Sequence, residues 1–223
     1  GSEGPMTTNG LFSSNETGVM NQSQGGSMAR FALSQQHLYV VGIQSIRTFD
    51  ISSPTDPVPG SETQFGWGVE TIFPYGNNLF IGSTTGMYIM DIQNPDNPVH
   101  ISTYEHVNSC DPVVVDGNYA YVTLRSGTDC QGFTNQLDVV DISDLGNPTL
   151  AKTFQMHNPH GLGVDQSLLF LCDGSEGLKV FDNSNPLNVG NEMRYHYNDI
   201  QAFDVIPFND VLMMNIRSCS LKS

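Results

Sequence analysis

Four times along the chain an alternating apolar run ends on an aspartate, and this recurrence constrains the fold more than any other feature. The runs are Ile46-Arg47-Thr48-Phe49-Asp50, Met87-Tyr88-Ile89-Met90-Asp91, Leu137-Asp138-Val139-Val140-Asp141 and Leu178-Lys179-Val180-Phe181-Asp182. The anchors Asp50, Asp91, Asp141 and Asp182 stand 41, 50 and 41 residues apart, so the middle interval carries nine extra residues, between Arg125 and Gln136. A polar, proline-bearing turn follows each anchor: Pro54 and Pro57, Pro95 and Pro98, Pro148, and Pro186. An aspartate there bonds nearby backbone amides in an Asx turn, and proline withholds a ladder hydrogen bond, so the strand must end.

Within a unit the apolar period is two, which marks strands and not helices. In the second unit the pattern predicts strands at Glu70 to Pro74, Leu79 to Ser83, Met87 to Ile92 and Val99 to Glu105, joined by short polar turns. Four antiparallel strands in a repeat of about 41 residues predict an all-β fold, a β-propeller of four-stranded blades. Only 14% of the residues are charged, too few for the polar faces of many amphipathic helices, and this agrees with an all-β chain. The core of such a fold is the set of blade-to-blade interfaces.

At these anchors the chain resembles the LVIVD-repeat family of bacterial, notably Bacteroidota-type, surface β-propellers. The resemblance runs from about Met28 to Asn215 and is strongest at Gly26-Ser27-Met28-Ala29-Arg30-Phe31, Gly66-Trp67-Gly68-Val69-Glu70-Thr71, Ser109-Cys110-Asp111-Pro112 and Asn158-Pro159-His160-Gly161-Leu162-Gly163. It implies an extracytoplasmic protein, at the cell surface as an outer-membrane lipoprotein or secreted, and it brings no catalytic residues with it.

The units divide the chain into an irregular segment 1–27, propeller repeats over 28–215 and an aberrant or truncated tail over 216–223. Four full blades are expected, and a fifth begins at Phe203 to Pro207 and Val211 to Met214, with only two of its strands. The expectation is a part of a longer ring of six or seven blades. Gly1 to Met6 lack the charged and apolar regions of a signal peptide, and no apolar run is long enough to span a bilayer. Eight basic residues against 23 acidic ones give a formal charge of −15, which argues against nucleic acid as a partner.

In a propeller the first strand of each blade lines the central channel, and its leading end shares one face with the loop between second and third strands. Aligning the blades puts Glu70, Asp111 and His160 at one equivalent position, with Arg30 and Asp204 one place further along. These form an expected ring of mixed charge at one channel mouth. It serves either as a polar binding site or as a set of blade-to-blade bonds. The inserted loop beginning at Arg125 falls on the same face, where long loops on a rigid scaffold collect binding residues. Trp67 lies there too, and it either stacks on a sugar or peptide ring or plugs the gap between blades.

Cys110 and Cys130 both project toward that face. They are expected to pair as a disulfide pinning the insertion, with two free thiols, or a metal site with His106 or His157, as alternatives. Cys172 is expected as a small buried hydrophobe. His157-Asn158-Pro159-His160 is a weak metal motif because the proline bars a helix, and Asp173-Gly174-Ser175-Glu176-Gly177 is expected to be a tight turn. No phosphate loop, nucleophile elbow or paired-cysteine zinc pattern occurs in the sequence, so neither metal nor cofactor is expected. Two functions compete. One is a non-enzymatic scaffold that binds a protein or glycan on the loop-bearing face. The other is a polysaccharide hydrolase or lyase using His160 with Asp111 or Glu70 at the mouth, supported by fold analogy alone.

Overall fold

The computed structural model describes residues 26–66, 68–106, 112–126, 134–208 and 210–218. Blade one is built from β1 (Phe31–Ser34), β2 (His37–Val41), β3 (Ser45–Asp50) and β4 (Val58–Gln64). Blade two has β5 (Val69–Tyr75), β6 (Asn78–Ser83), β7 (Gly86–Asp91) and β8 (Val99–Glu105), and blade three has β9 (Val113–Asp116), β10 (Tyr119–Leu124), β11 (Gln136–Asp141) and β12 (Thr149–Gln155). Blade four has β13 (Leu162–Asp165), β14 (Leu168–Cys172), β15 (Leu178–Asp182) and β16 (Met193–Tyr197), with a 3-10 helix, Pro186–Asn191, before its last strand. Blade five contributes β17 (Ile200–Phe208) and β18 (Val211–Ser218).

Each of the first four sheets is a four-stranded antiparallel meander in chain order, and the fifth has two strands. The first strands β1, β5, β9, β13 and β17 pack in sequence, each against the next, as the inner strands of a propeller do. The Asx turns that end every third strand are present in all four units: Asp50, Asp91, Asp141 and Asp182 accept from the amides of Ser52, Gln93, Ser143 and Ser184 at 2.7 to 2.9 Å. One sequence signal therefore stops four strands at the same place.

The apolar alternation packs blade on blade. Tyr39, Val41 and Ile46 of blade one meet Ile72, Leu79 and Ile81 of blade two. Phe80, Met87 and Ile89 of blade two then meet Val113, Ala120 and Val122 of blade three. Tyr121, Leu137 and Phe154 pack on Leu162, Leu169 and Phe181, and Phe170, Cys172 and Leu178 pack on Ala202 and Val205. Side chains of opposite parity on one strand thus serve the preceding and the following interface.

Two expected boundaries move. β18 continues through Ile216 and Arg217 to Ser218, past the break expected at 216. The physical reason is that Ile216 keeps the alternation of Leu212 and Met214, while the Arg217 guanidinium lies over the Phe203 ring at 5.2 Å. At the other end, Gly26 and Ser27, expected within the irregular segment, are buried. Ser27 Oγ accepts from the Leu162 amide at 2.8 Å, and the Ala29 carbonyl accepts from the Ile72 amide at 2.9 Å. This stretch therefore bonds to both blade two and blade four. A Cβ on Gly26 would come within 2.8 Å of Ile206 Cγ1, so glycine permits the approach to β17.

Candidate functional site at the channel mouth

The leading end of the first strand is bulged in blades two and five. In β5 the register with β6 shifts between Val69 and Thr71, and in β17 the register with β18 shifts between Ala202 and Asp204. The extra residues are Glu70 and Phe203. A bulge turns its residue out of the ladder and aims it elsewhere, here at the channel mouth. His160 precedes β13 at the same relative place, with its amide donating to the Cys172 carbonyl at 2.7 Å.

His160 is the best-anchored member. Its carbonyl accepts from Thr123 Oγ1 at 2.7 Å, and its ring meets Phe203 edge to face, with centroids 5.0 Å apart. Nε2 lies 3.4 Å from Arg125 Nη1 and 3.2 Å from Asn158 Nδ2. A guanidinium can only donate, so Nε2 is the unprotonated ring nitrogen. Burial, and then the Arg125 charge, push the imidazole down to about 4, with Asp173 pulling the other way. At neutral pH the ring is uncharged and its one acceptor is already engaged.

Glu70 and Arg125 form the charged half of the mouth. Burial raises the Glu70 carboxyl above the usual carboxylate range, and the Arg30 and Arg125 charges oppose the rise. Burial lowers Arg125, and Glu70 opposes that shift in turn. Arg30 itself is exposed, with Nη2 3.4 Å from the Gly42 carbonyl. Asp204 is raised by burial, against a bond from the Val205 amide. Its close approach depends on Gly161, where a Cβ would fall 2.1 Å from Asp204 Oδ1.

Behind His160 stands a support that the sequence pattern does not reveal. Asp173 is fully buried; it accepts from the amides of His157 at 3.2 Å and Asn158 at 2.6 Å, and from Lys179 Nζ at 2.5 Å. The Asp173 to Gly177 segment is the expected turn, but its first residue holds the strand of chain that carries Asn158 and His160. Cys172 is buried, and burial followed by the Asp204 and Asp173 charges raises its thiol, which makes it a poor nucleophile at neutral pH.

Of the residues expected at the mouth, the structure brings Glu70, Arg125 and His160 together with Arg30, and sets Asp204 beside Gly161. Trp67, Asp111, Cys110 and Cys130 lie outside the described residues, as does most of the inserted loop, of which Arg125, Ser126, Thr134, Asn135 and Gln136 are described. Asn135 Oδ1 accepts from the Ser126 amide at 3.0 Å and so ties the two described ends of that loop together. Asn158, Asp173 and Phe203 join the site without having been singled out for it in the sequence. Among the described residues no three His, Cys, Asp or Glu side chains are grouped so as to hold a metal ion. Among them also no helix is long and apolar enough to cross a membrane.

The blades, their inner-strand packing and the polar mouth define a β-propeller scaffold. The LVIVD repeat family matches residues 69–106 and 109–155, the stretch that holds blades two and three. A crystal structure of a functionally unknown protein from Desulfotomaculum acetoxidans DSM 771 is similar over 77% of this chain, with a TM-score of 0.56 and 20% identity. This chain covers 57% of that protein's length, and the likeness concerns the fold. More distant are BamB from Moraxella catarrhalis, at 14% identity and TM-score 0.49 over 82% of this chain and 53% of its own, and the N-terminal domain of Nup159, at 11% and 0.49 over 89% and 59%. No curated protein matches the sequence.

Proposed function

We propose that this propeller is a non-enzymatic binding scaffold whose channel mouth, on the loop-bearing face, takes a protein or glycan ligand outside the cytoplasm. The observation that carries this reading is the state of His160. Its acceptor nitrogen already faces Arg125 and Asn158, and the ring is neutral with its pKa near 4. A general base works best with a pKa near the working pH and a free acceptor, and His160 has neither. The half-buried Arg125 and Glu70 instead offer a fixed donor and acceptor on a rigid frame, which is the equipment of a recognition site.

The extracytoplasmic setting and the pairing of Cys110 with Cys130 belong to the same proposal and rest on the repeat resemblance and on cysteine placement. Peptide mapping without reduction tests the pairing. For the binding reading, labelled chain is passed over an array of oligosaccharides and peptides, alongside a variant lacking Ser126 to Asn135. Weaker capture by the loop deletion supports the mouth as the site, and full retention moves the site elsewhere. The enzyme alternative predicts turnover of arrayed polysaccharide that His160→Ala abolishes while the fold persists.

A further inference from the structure

Three blades place charge at one corner of the mouth. Glu70, in the β5 bulge, feels the charges of Arg30, just before β1, and of Arg125, just after β10. Guanidinium groups from blades one and three thus converge on a carboxylate of blade two. Burial outweighs both charges at Glu70, so this corner is partly shielded from water. A charge-assisted hydrogen bond is stronger in such a place than at an open surface.

Arg125 is oriented there by a neutral partner. Its Nη1 lies 3.4 Å from His160 Nε2, and that ring is uncharged at neutral pH, so the contact directs the guanidinium without neutralising it. A guanidinium carries five N–H donors in one plane, and aiming one of them at His160 sets the plane of the others, the geometry that grips a planar carboxylate in two places. Arg30 is exposed, and its Nη2 lies 3.4 Å from the Gly42 carbonyl, at the outer limit of a hydrogen bond.

The groups beside the arginines suit hydroxyls. Glu70 and Asn158 are both half-buried, a carboxylate that accepts and a carboxamide that donates and accepts. A protein segment docks mainly through apolar anchors and strand edges. A sugar acid presents several hydroxyl groups and one carboxylate, and the polar set at this corner matches both. The chain as a whole has a formal charge of −15 and repels a polyanion, so capture of one requires a local site of this kind.

Resting on the reading of the mouth as a recognition site, we propose that its ligand is an acidic glycan, bound through the carboxylate of a uronic acid residue. Arg125 and Arg30 hold the carboxylate, Glu70 and Asn158 take the ring hydroxyls, and His160 is a positioning residue for Arg125.

The probes are fluorescent hexamers of galacturonic, glucuronic and mannuronic acid, their methyl esters, which keep the hydroxyl groups and lose the charge, and a hexaglutamate peptide. Each is titrated with the whole chain and followed by anisotropy. At least one uronic acid hexamer should bind saturably, with its ester and the peptide at least about tenfold weaker. Arg125→Gln should weaken the acid about tenfold and leave the ester within about twofold, and so should Arg30→Gln, a change at an exposed residue. No saturable binding of any uronic acid hexamer, equal binding of its ester, or tighter binding of the peptide overturns this inference. In those cases arrayed ligands lost by Arg125→Ala and Glu70→Gln still uphold the mouth as a recognition site. A hexamer that binds both arginine variants as tightly as the parent chain places the site elsewhere and overturns both readings.

Discussion

Tyr121 in blade three donates its hydroxyl to Asn183 Oδ1 in blade four, 2.6 Å away and buried, and Asn183 Nδ2 returns a bond to Asp116 of blade three at 3.1 Å. The interface is therefore bolted by polar bonds as well as filled by Leu137, Phe154 and Leu169. Tyr121→Phe keeps the ring and removes the hydroxyl, leaving Asn183 Oδ1 without its donor in a buried place. The expected loss is about 1 to 3 kcal/mol in urea denaturation, with the slope unchanged. A midpoint equal to that of the parent chain would show that the bond contributes nothing.

Gly161 is required by geometry. Its absent side chain leaves room for Asp204 Oδ1, which a Cβ would meet at 2.1 Å. Gly161→Ala should lower stability by about 2 to 4 kcal/mol, because the clash includes backbone at Asp204 Cα, 3.0 Å away. Adding Asp204→Gly should restore part of that loss. A Gly161→Ala chain that melts with the parent would contradict the close approach of β17 to this turn.

His160 makes the fold sensitive to acid. Its folded-state pKa of about 4 lies below the ordinary 6.5, so between those values the unfolded chain binds more protons than the folded one. Its contribution is complete above pH 6.5 and falls as the pH drops toward 4, by about 3 kcal/mol. Nuclear magnetic resonance titration of the ring should find it still neutral at pH 5, and His160→Gln should flatten the acid limb of the stability curve. A ring that titrates at its ordinary value would contradict the burial and the Arg125 contact.

His37 carries the opposite sign. Burial alone would lower it, but the Gln35 carbonyl at 2.9 Å and the Asp96 carboxylate at 2.9 Å together hold its pKa above 6.5. Its contribution is complete below pH 6.5 and is lost as the pH rises through the raised folded-state value. Because Asp96 belongs to blade two, this pair joins blades one and two. Asp96→Asn should weaken that pH dependence, since the Gln35 carbonyl remains; an unchanged dependence would assign it to groups other than Asp96.

Much of this was legible in the chain. The Asp anchors located four strand ends because an Asx turn needs only one side chain and its neighbouring amides, and Asp50, Asp91, Asp141 and Asp182 all form one. Register then placed Glu70 and His160 at the mouth. The same register gave no sign of Asn158 and Asp173, whose link is a buried carboxylate bonding two amides from a separate turn. Phe203 was hidden by the bulge in β17, which inserts it between Ala202 and Asp204 and turns it toward His160.

The most direct test of the binding mouth is capture of arrayed oligosaccharides and peptides by the labelled chain and by its Arg125→Ala and Glu70→Gln variants, with the arrayed probes recovered and weighed afterwards by mass spectrometry. Binding at the mouth predicts capture of at least one probe class, a loss of about tenfold or more in both variants, and probes recovered intact. Capture that both variants retain, or probes recovered in cleaved form, would contradict it.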